Sequence, residues 1–202
     1  MSIKTTLSIA VVATILSGCE ATYDQAKADK DIFNAARLLK KGVTPGRIDY
    51  NLNRVIEYCN QIQNNECLVV AHKYYGHFYV SPLLTKHKKF FSLWGFHDPG
   101  GTYENRYQHA TEHILKALSY NGSEVNYDLQ TQLYMSLSTA YYALGEKDKE
   151  CEALANALLA RTKSYPEGNE PIEHLPFNVN RMTEFIKHEQ KRVGCAEVLP
   201  VK

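Results

Sequence analysis

The sequence predicts an all-α protein of about seven helices packed as antiparallel pairs. Three observations carry that expectation. Apolar residues recur at three- and four-residue intervals, most cleanly at Ile48, Leu52, Val55, Ile56, Cys59 and Ile62, which form one stripe of a helix. Helix-breaking residues punctuate the stripes at helical lengths, at Gly42, Asn64-Asn65, Ser81-Pro82, Gly145 and Gly194. No segment alternates apolar and polar residues between hairpin turns, so no sheet is expected.

The first helix carries Ile32, Ala35, Ala36, Leu39 and Val43, has Lys40 and Lys41 at the negative end of its dipole, and stops at Gly42. Residues 19–31 bury little and read as a tether, with the helical domain spanning 32–202. Thr44-Pro45 reads as an N-cap followed by a first-turn proline, opening the second helix. The third carries Leu68, Ala71, Tyr75 and Phe78 and ends at Ser81-Pro82, because proline disfavours helix at the residue before it. Periodicity then fails over 83–100, a basic and aromatic stretch that reads as an inserted loop closing on Asp98-Pro99-Gly100-Gly101. Thr102 is expected to cap a fourth helix with Tyr103, Tyr107, Ala110, Ile114, Ala117 and Leu118 inward, leaving at Asn121-Gly122. A fifth, from about Glu124, carries Leu129, Leu133, Leu137, Ala140 and Leu144, and a sixth carries Cys151, Leu154, Ala155 and Leu158. A Pro-rich connection leads to the last helix, with Val179, Met182, Phe185, Ile186 and Val193 before Gly194.

The N-terminus has another character. Lys4 precedes an apolar run, Leu7–Leu16, too short to span a bilayer core of roughly 30 Å, and the run closes on Leu16-Ser17-Gly18-Cys19. This segment resembles a bacterial lipoprotein signal peptide. The resemblance implies lipid attachment to the Cys19 thiol, removal of residues 1–18 and acylation of the new amino group, and two or more chains hold a protein stably on a membrane where one does not. Glu20 stands where an Asp would favour inner-membrane retention in Gram-negative lipoproteins, so the resemblance implies the periplasmic face of the outer membrane.

Lys and Arg number 23 against 22 Asp and Glu, and Lys4 lies in the signal, so the mature chain is neutral overall and lacks the basic excess of a nucleic-acid binder. Besides Cys19 there are Cys59, Cys67, Cys151 and Cys195, an even set in a compartment that permits disulfides. Of the three pairings, Cys59 with Cys67 across a helix–helix turn and Cys151 with Cys195 is preferred.

Tyr134, Leu137, Ser138, Tyr141, Leu144 and Gly145, followed by Leu154, Ala157 and Leu158, resemble the two helices of a tetratricopeptide repeat, with Glu150 where that family has alanine. Ala110, Ile114, Ala117, Leu118 and Asn121 resemble the second helix of a preceding unit, whose first helix is then Leu68–Phe78 with the basic loop inserted before its partner. The Ala-Leu pairs at 117 and 157 are 40 residues apart, against about 34 in the family. An irregular helical bundle with Tyr and Ala as ordinary core is the alternative architecture. Repeat scaffolds of this kind bind proteins or peptides on a concave face, which is an inference from fold alone.

Candidate chemistry is sparse. His109 and His113 are four apart and share a helix face, so they are candidate metal ligands, with His72 and His77 as distant supplements; Glu112 points elsewhere. No phosphate-binding glycine loop, dinucleotide fingerprint or nucleophile elbow occurs, so neither an enzyme nor a cofactor is expected. The candidate partner-binding residues are Lys86, Lys88, Lys89, Phe90, Phe91, Trp94 and Phe96, cations interleaved with large aromatics. Their competing role is a satellite core. The expected function is an envelope adaptor, anchored to the membrane by its lipid, that binds a protein or peptide partner. The alternatives are an immunity or exclusion lipoprotein directed at an incoming toxin or phage, and a metal-dependent hydrolase. Oligomeric state is not encoded in any feature of the sequence.

Overall fold

The computed structural model describes residues 23–121, 126–166 and 169–195; the expected signal and Cys19 lie outside them. All regular structure among the described residues is helical. In order the helices are α1 (Gln25–Lys41), α2 (Pro45–Gln61), α3 (Asn65–Val80), α4 (Pro82–Lys86), α5 (Lys88–Trp94), α6 (Arg106–Tyr120), α7 (Tyr127–Leu144), α8 (Lys147–Ser164) and α9 (Met182–Val193), with a 3-10 turn at Pro176–Asn178 before α9.

Three pairs form the body, α1 with α2, α3 with α6 and α7 with α8, and α9 covers α8. The long stripes and their stops fall where the sequence placed them, and the differences are local: Val43 lies past the Gly42 stop, and Tyr103 and Val179 precede α6 and α9 and do not belong to them. Helix α1 starts at Gln25, because Asp24 caps it by accepting a hydrogen bond from the Lys27 amide at 2.9 Å, and Ala28 is buried; the tether is therefore helical from there on. Thr44 stands at the N-cap of α2 with Pro45 in the first turn, as expected, but in a left-handed conformation (φ 47°) and without a side-chain hydrogen bond, so that only its carbonyl serves the helix, accepting from the Arg47 and Ile48 amides. Thr102 is one turn early: its hydroxyl accepts from the Asn105 amide at 3.2 Å while Asn105 Oδ1 accepts from the Thr102 amide at 2.7 Å, and α6 begins at Arg106. Stretch 83–100 is not a loop throughout, since α4 and α5 lie in it, each too short to show a period.

Helix α3 is the centre of the fold, packing on α1, α2, α4, α6 and α7. Tyr75, Phe78 and Tyr79 are fully buried among Ile48 and Leu52 of α2 and Leu83, Leu84 and Phe91. Gly76 sets the α3–α6 spacing: a Cβ there would lie 2.5 Å from Ile114 Cγ1, so only hydrogen lets the backbones approach this far.

Both preferred disulfides are present, Cys59–Cys67 with Cα atoms 5.8 Å apart and Cys151–Cys195 with 5.4 Å. The first clamps α2 to α3; the second closes a separation of 44 residues and ties the end of the described chain to α8. Glu150, the departure from the repeat pattern, is buried with Arg192 of α9 3.4 Å from its carboxylate.

The Pro-rich connection is held by one cation. Arg161 of α8 reaches Glu170 (2.6 Å), Asp128 (2.9 Å) and Glu173 (2.5 Å), and Glu170 also accepts from the Thr183 hydroxyl at 2.6 Å at the head of α9. Burial raises the Glu170 carboxyl, but hydrogen bonds from Thr183 and Arg161 outweigh it and hold the group below its ordinary range. A depressed folded-state value contributes stability that is present above the unfolded carboxylate value of about 4.3 and lost as pH falls through the folded one. Glu170→Gln should therefore lower the melting temperature at pH 7 and flatten its fall between about pH 5 and 3. Thermal melts of both proteins across that range check it; parallel acid limbs would refute the role.

Candidate functional site

The insert turns α5 into a two-sided element. Phe91 is 1% exposed, stacked on Phe96 with ring centroids 4.2 Å apart and set edge-on to Phe78 of α3. Away from that packing Trp94 is 78% and Leu93 68% exposed, with Phe90 half out of the surface beside Gly46 at the head of α2. Lys86, Lys88 and Lys89 are exposed as well, Lys88 placing its ammonium 5.3 Å from the centre of the Tyr103 ring. Gly95 makes this possible. Its φ of 68° with ψ of −163° suits glycine and turns the chain sharply after Trp94, so that Phe96 re-enters the core.

The structure thus divides the seven candidate residues. Phe91 belongs to the core and Phe96 is partly buried against it, while the three lysines, Phe90 and Trp94 remain on the surface. Within α5 the side chain at 91 is covered by Phe78 and Phe96, while those at 90, 93 and 94 are left exposed; spacing alone does not divide them, because 91 and 94 are three apart and share a helical face.

Two carboxylates, Asp49 buried and Asp98 partly so, pin the returning segment of the insert. Asp49 of α2 accepts from the Tyr75 hydroxyl, and its other oxygen accepts from the His97 amide at 2.8 Å and lies 2.8 Å from His97 Nδ1. Burial raises the Asp49 carboxyl against those hydrogen bonds. One residue later, Asp98 Oδ2 accepts from the Tyr79 hydroxyl at 2.8 Å, from His109 Nδ1 at 2.8 Å and from His113 Nε2 at 3.0 Å. Burial works against ionising Asp98, yet bonds from His113, Tyr79 and His109 prevail and hold its carboxyl down to about 2.

Behind His113 stands His72 of α3, with the two Nδ1 atoms 2.8 Å apart. Burial, then the His113 neighbour, depresses His72 to about 3, and burial also lowers His113, so both rings are neutral. The tautomers follow from the carboxylate, which can only accept. His109 carries its proton on Nδ1 and His113 on Nε2, so His113 Nδ1 accepts from His72 Nδ1–H.

His109 and His113 do share a face, and His72 joins them as a supplement; His77 does not, its ring being buried elsewhere on α3 beside an apolar groove that Phe33, Tyr74, Met135 and Phe185 help to line. The sequence reading missed Asp98 and Asp49. Asp98 was visible only as part of a turn, and neither carries a local pattern that distinguishes a buried carboxylate from a solvated one. Among the described residues Asp98, His109 and His113 bring three metal-competent atoms within 4.8 Å of one another.

Comparison with known proteins returns no match: no family model, no curated protein and no solved structure matches the chain.

Phe91→Ala should cost about 3–5 kcal/mol of stability as a truncated core aromatic, whereas Trp94→Ala should stay within about 0.5 kcal/mol of wild type. Urea unfolding of the two variants tests the division, and equal losses would refute it.

Proposed function

We propose that this protein is a membrane-anchored envelope lipoprotein, held by Cys19 on the periplasmic face of the outer membrane, that captures an acidic protein partner through α5. The observation that carries the reading is the outward face of α5, where Phe90, Leu93 and Trp94 stand beside Lys86, Lys88 and Lys89. Tryptophan is the residue type most often dominant in protein interfaces, and lysines around it favour encounter with a negatively charged surface.

Geometry favours a protein over the anchoring membrane as the occupant of that face. Tyr23, where the tether would enter, packs on Arg54 and Tyr58 of the C-terminal half of α2, whereas α5 meets α2 at Gly46, near its start. Helix α2 has 17 residues and is about 25 Å long. A domain hung by a short tether from one end of α2 presents α5 at the other end, into the periplasm.

The anchor and the capture face are tested separately. Cys19→Ser should move the protein from the membrane to the soluble fraction with its circular dichroism unchanged; a variant that still sediments with membranes, in cells where wild type takes up no labelled fatty acid, refutes the anchor. For capture, crosslinking in intact envelopes followed by pull-down should lose the partner band in Trp94→Ala and in the double change Lys88→Glu with Lys89→Glu. For an interface anchor the loss should be about 2 kcal/mol, or some thirtyfold in Kd once the partner is purified. Phe33→Ala, on the apolar groove, should leave capture intact. Retained capture in Trp94→Ala with loss in Phe33→Ala would move the binding face to the groove and overturn the assignment to α5.

A further inference from the structure

We propose that Asp98, His109 and His113 form a binding site for a divalent transition metal of the zinc class, with three protein ligands and an open coordination position. The ligand atoms are Asp98 Oδ2, His109 Nδ1 and His113 Nε2, and both nitrogens already converge on the carboxylate oxygen, at 2.8 and 3.0 Å. A tetrahedral zinc ion with bonds of about 2.0–2.1 Å needs neighbouring ligand atoms about 3.3 Å apart. The two carboxylate–nitrogen distances are therefore a few tenths of an ångström short of a loaded site, and the two nitrogens lie within 4.8 Å of each other. Two imidazoles and one carboxylate select a transition metal over calcium or magnesium, which take oxygen ligands.

Three features separate this cluster from an ordinary hydrogen-bonded tie between a loop and a helix. His109 and His113 sit one turn apart on α6 and aim at the same point, while a tie needs one donor. His72 stands 2.8 Å behind the ring nitrogen of His113 that faces away from Asp98, the position of the outer partner that orients a metal-bound histidine. The loop also reaches the cluster only because Gly101 has no side chain, since a Cβ there would fall 2.6 Å from the Tyr79 hydroxyl. The His109 and Asp98 side chains keep 12% and 13% of their surface exposed, which leaves an entry from solvent, and His113 closes the inner wall at 4%.

Binding rearranges protons without net release from the rings. Each nitrogen that meets the metal must offer a lone pair, so the proton of His109 moves from Nδ1 to Nε2 and that of His113 from Nε2 to Nδ1. His113 Nδ1–H then donates to His72, whose own proton moves from Nδ1 to Nε2. Tyr79 keeps its bond to the carboxylate, and water or a partner's side chain takes the open position. Asp98 ends the insert and both histidines lie on α6, so the ion would bolt the α5 segment to the body of the fold.

The test uses the full chain stripped with a chelator, titrated with Co²⁺ by visible absorption and with Zn²⁺ by calorimetry. Wild type should take up one equivalent of each in competition and show the intense visible bands of low-coordinate Co²⁺. Asp98→Asn and His113→Gln should abolish that uptake, and His188→Gln, an exposed histidine outside the cluster, should leave it unchanged. His72→Phe should keep the stoichiometry and weaken affinity about 10- to 100-fold. Nitrogen-15 spectra of the wild-type imidazoles read the site without any variant, so a misfolded mutant does not spoil the test: His109 and His113 should exchange tautomers on adding Zn²⁺. The proposal is overturned if wild type takes up no stoichiometric metal, if uptake persists in folded Asp98→Asn and His113→Gln, or if the tautomers stay as they are.

Discussion

The ionised carboxylate of Asp98 is the interaction on which the arrangement of the insert depends. Burying a charge is costly unless every acceptor site finds a donor, and here one hydroxyl and two imidazoles converge on a single oxygen. Those donors come from α3 and α6, the pair at the centre of the fold, so the end of the insert is registered against the most buried part of the molecule. Asp49 repeats the device through Tyr75 and His97. Tied twice at its returning end and continuous with α3 at its start, the insert holds Phe91 inward and leaves Trp94 on the surface.

The same constraint links structure to the proposed adaptor role. An exposed tryptophan on a mobile loop pays ordering entropy when it binds, whereas one on a helix already packed against Phe78 and Phe96 is presented in place. Under the proposed anchoring, the separation along α2 between Tyr23 and α5 would give that face reach away from the membrane. Arg161 does for the C-terminal connection what the two aspartates do for the insert, gathering three carboxylates from α7 and the Pro-rich segment onto one guanidinium.

Much of the fold was legible because its long helices declare themselves locally. The α2 stripe, the left-handed glycines at 42, 145 and 194 and the proline after Ser81 each act within a few residues of the boundary they set. Caps were less legible, since Thr44 holds the N-cap position without a side-chain hydrogen bond and Thr102 has the composition of an N-cap while the helix starts at Arg106. Helices α4 and α5 escaped notice because five and seven residues are too few for a period to stand out. The His109–His113 pair was readable from its spacing of four, but the carboxylate that joins it comes from a turn eleven positions upstream.

By itself the sequence determined the helical class and the stops of the long helices, both matters of local propensity, and it offered one preferred cysteine pairing among three, which the structure then decided. Only the tertiary structure decided which candidate aromatics are core and which are surface, that Gly76 lets α3 and α6 touch, and that Asp98, His109, His113 and His72 meet. The physical reason is range: a helix stripe is written in neighbours three and four apart, whereas the environment of a carboxylate or an aromatic ring is set by whichever distant backbone packs against it.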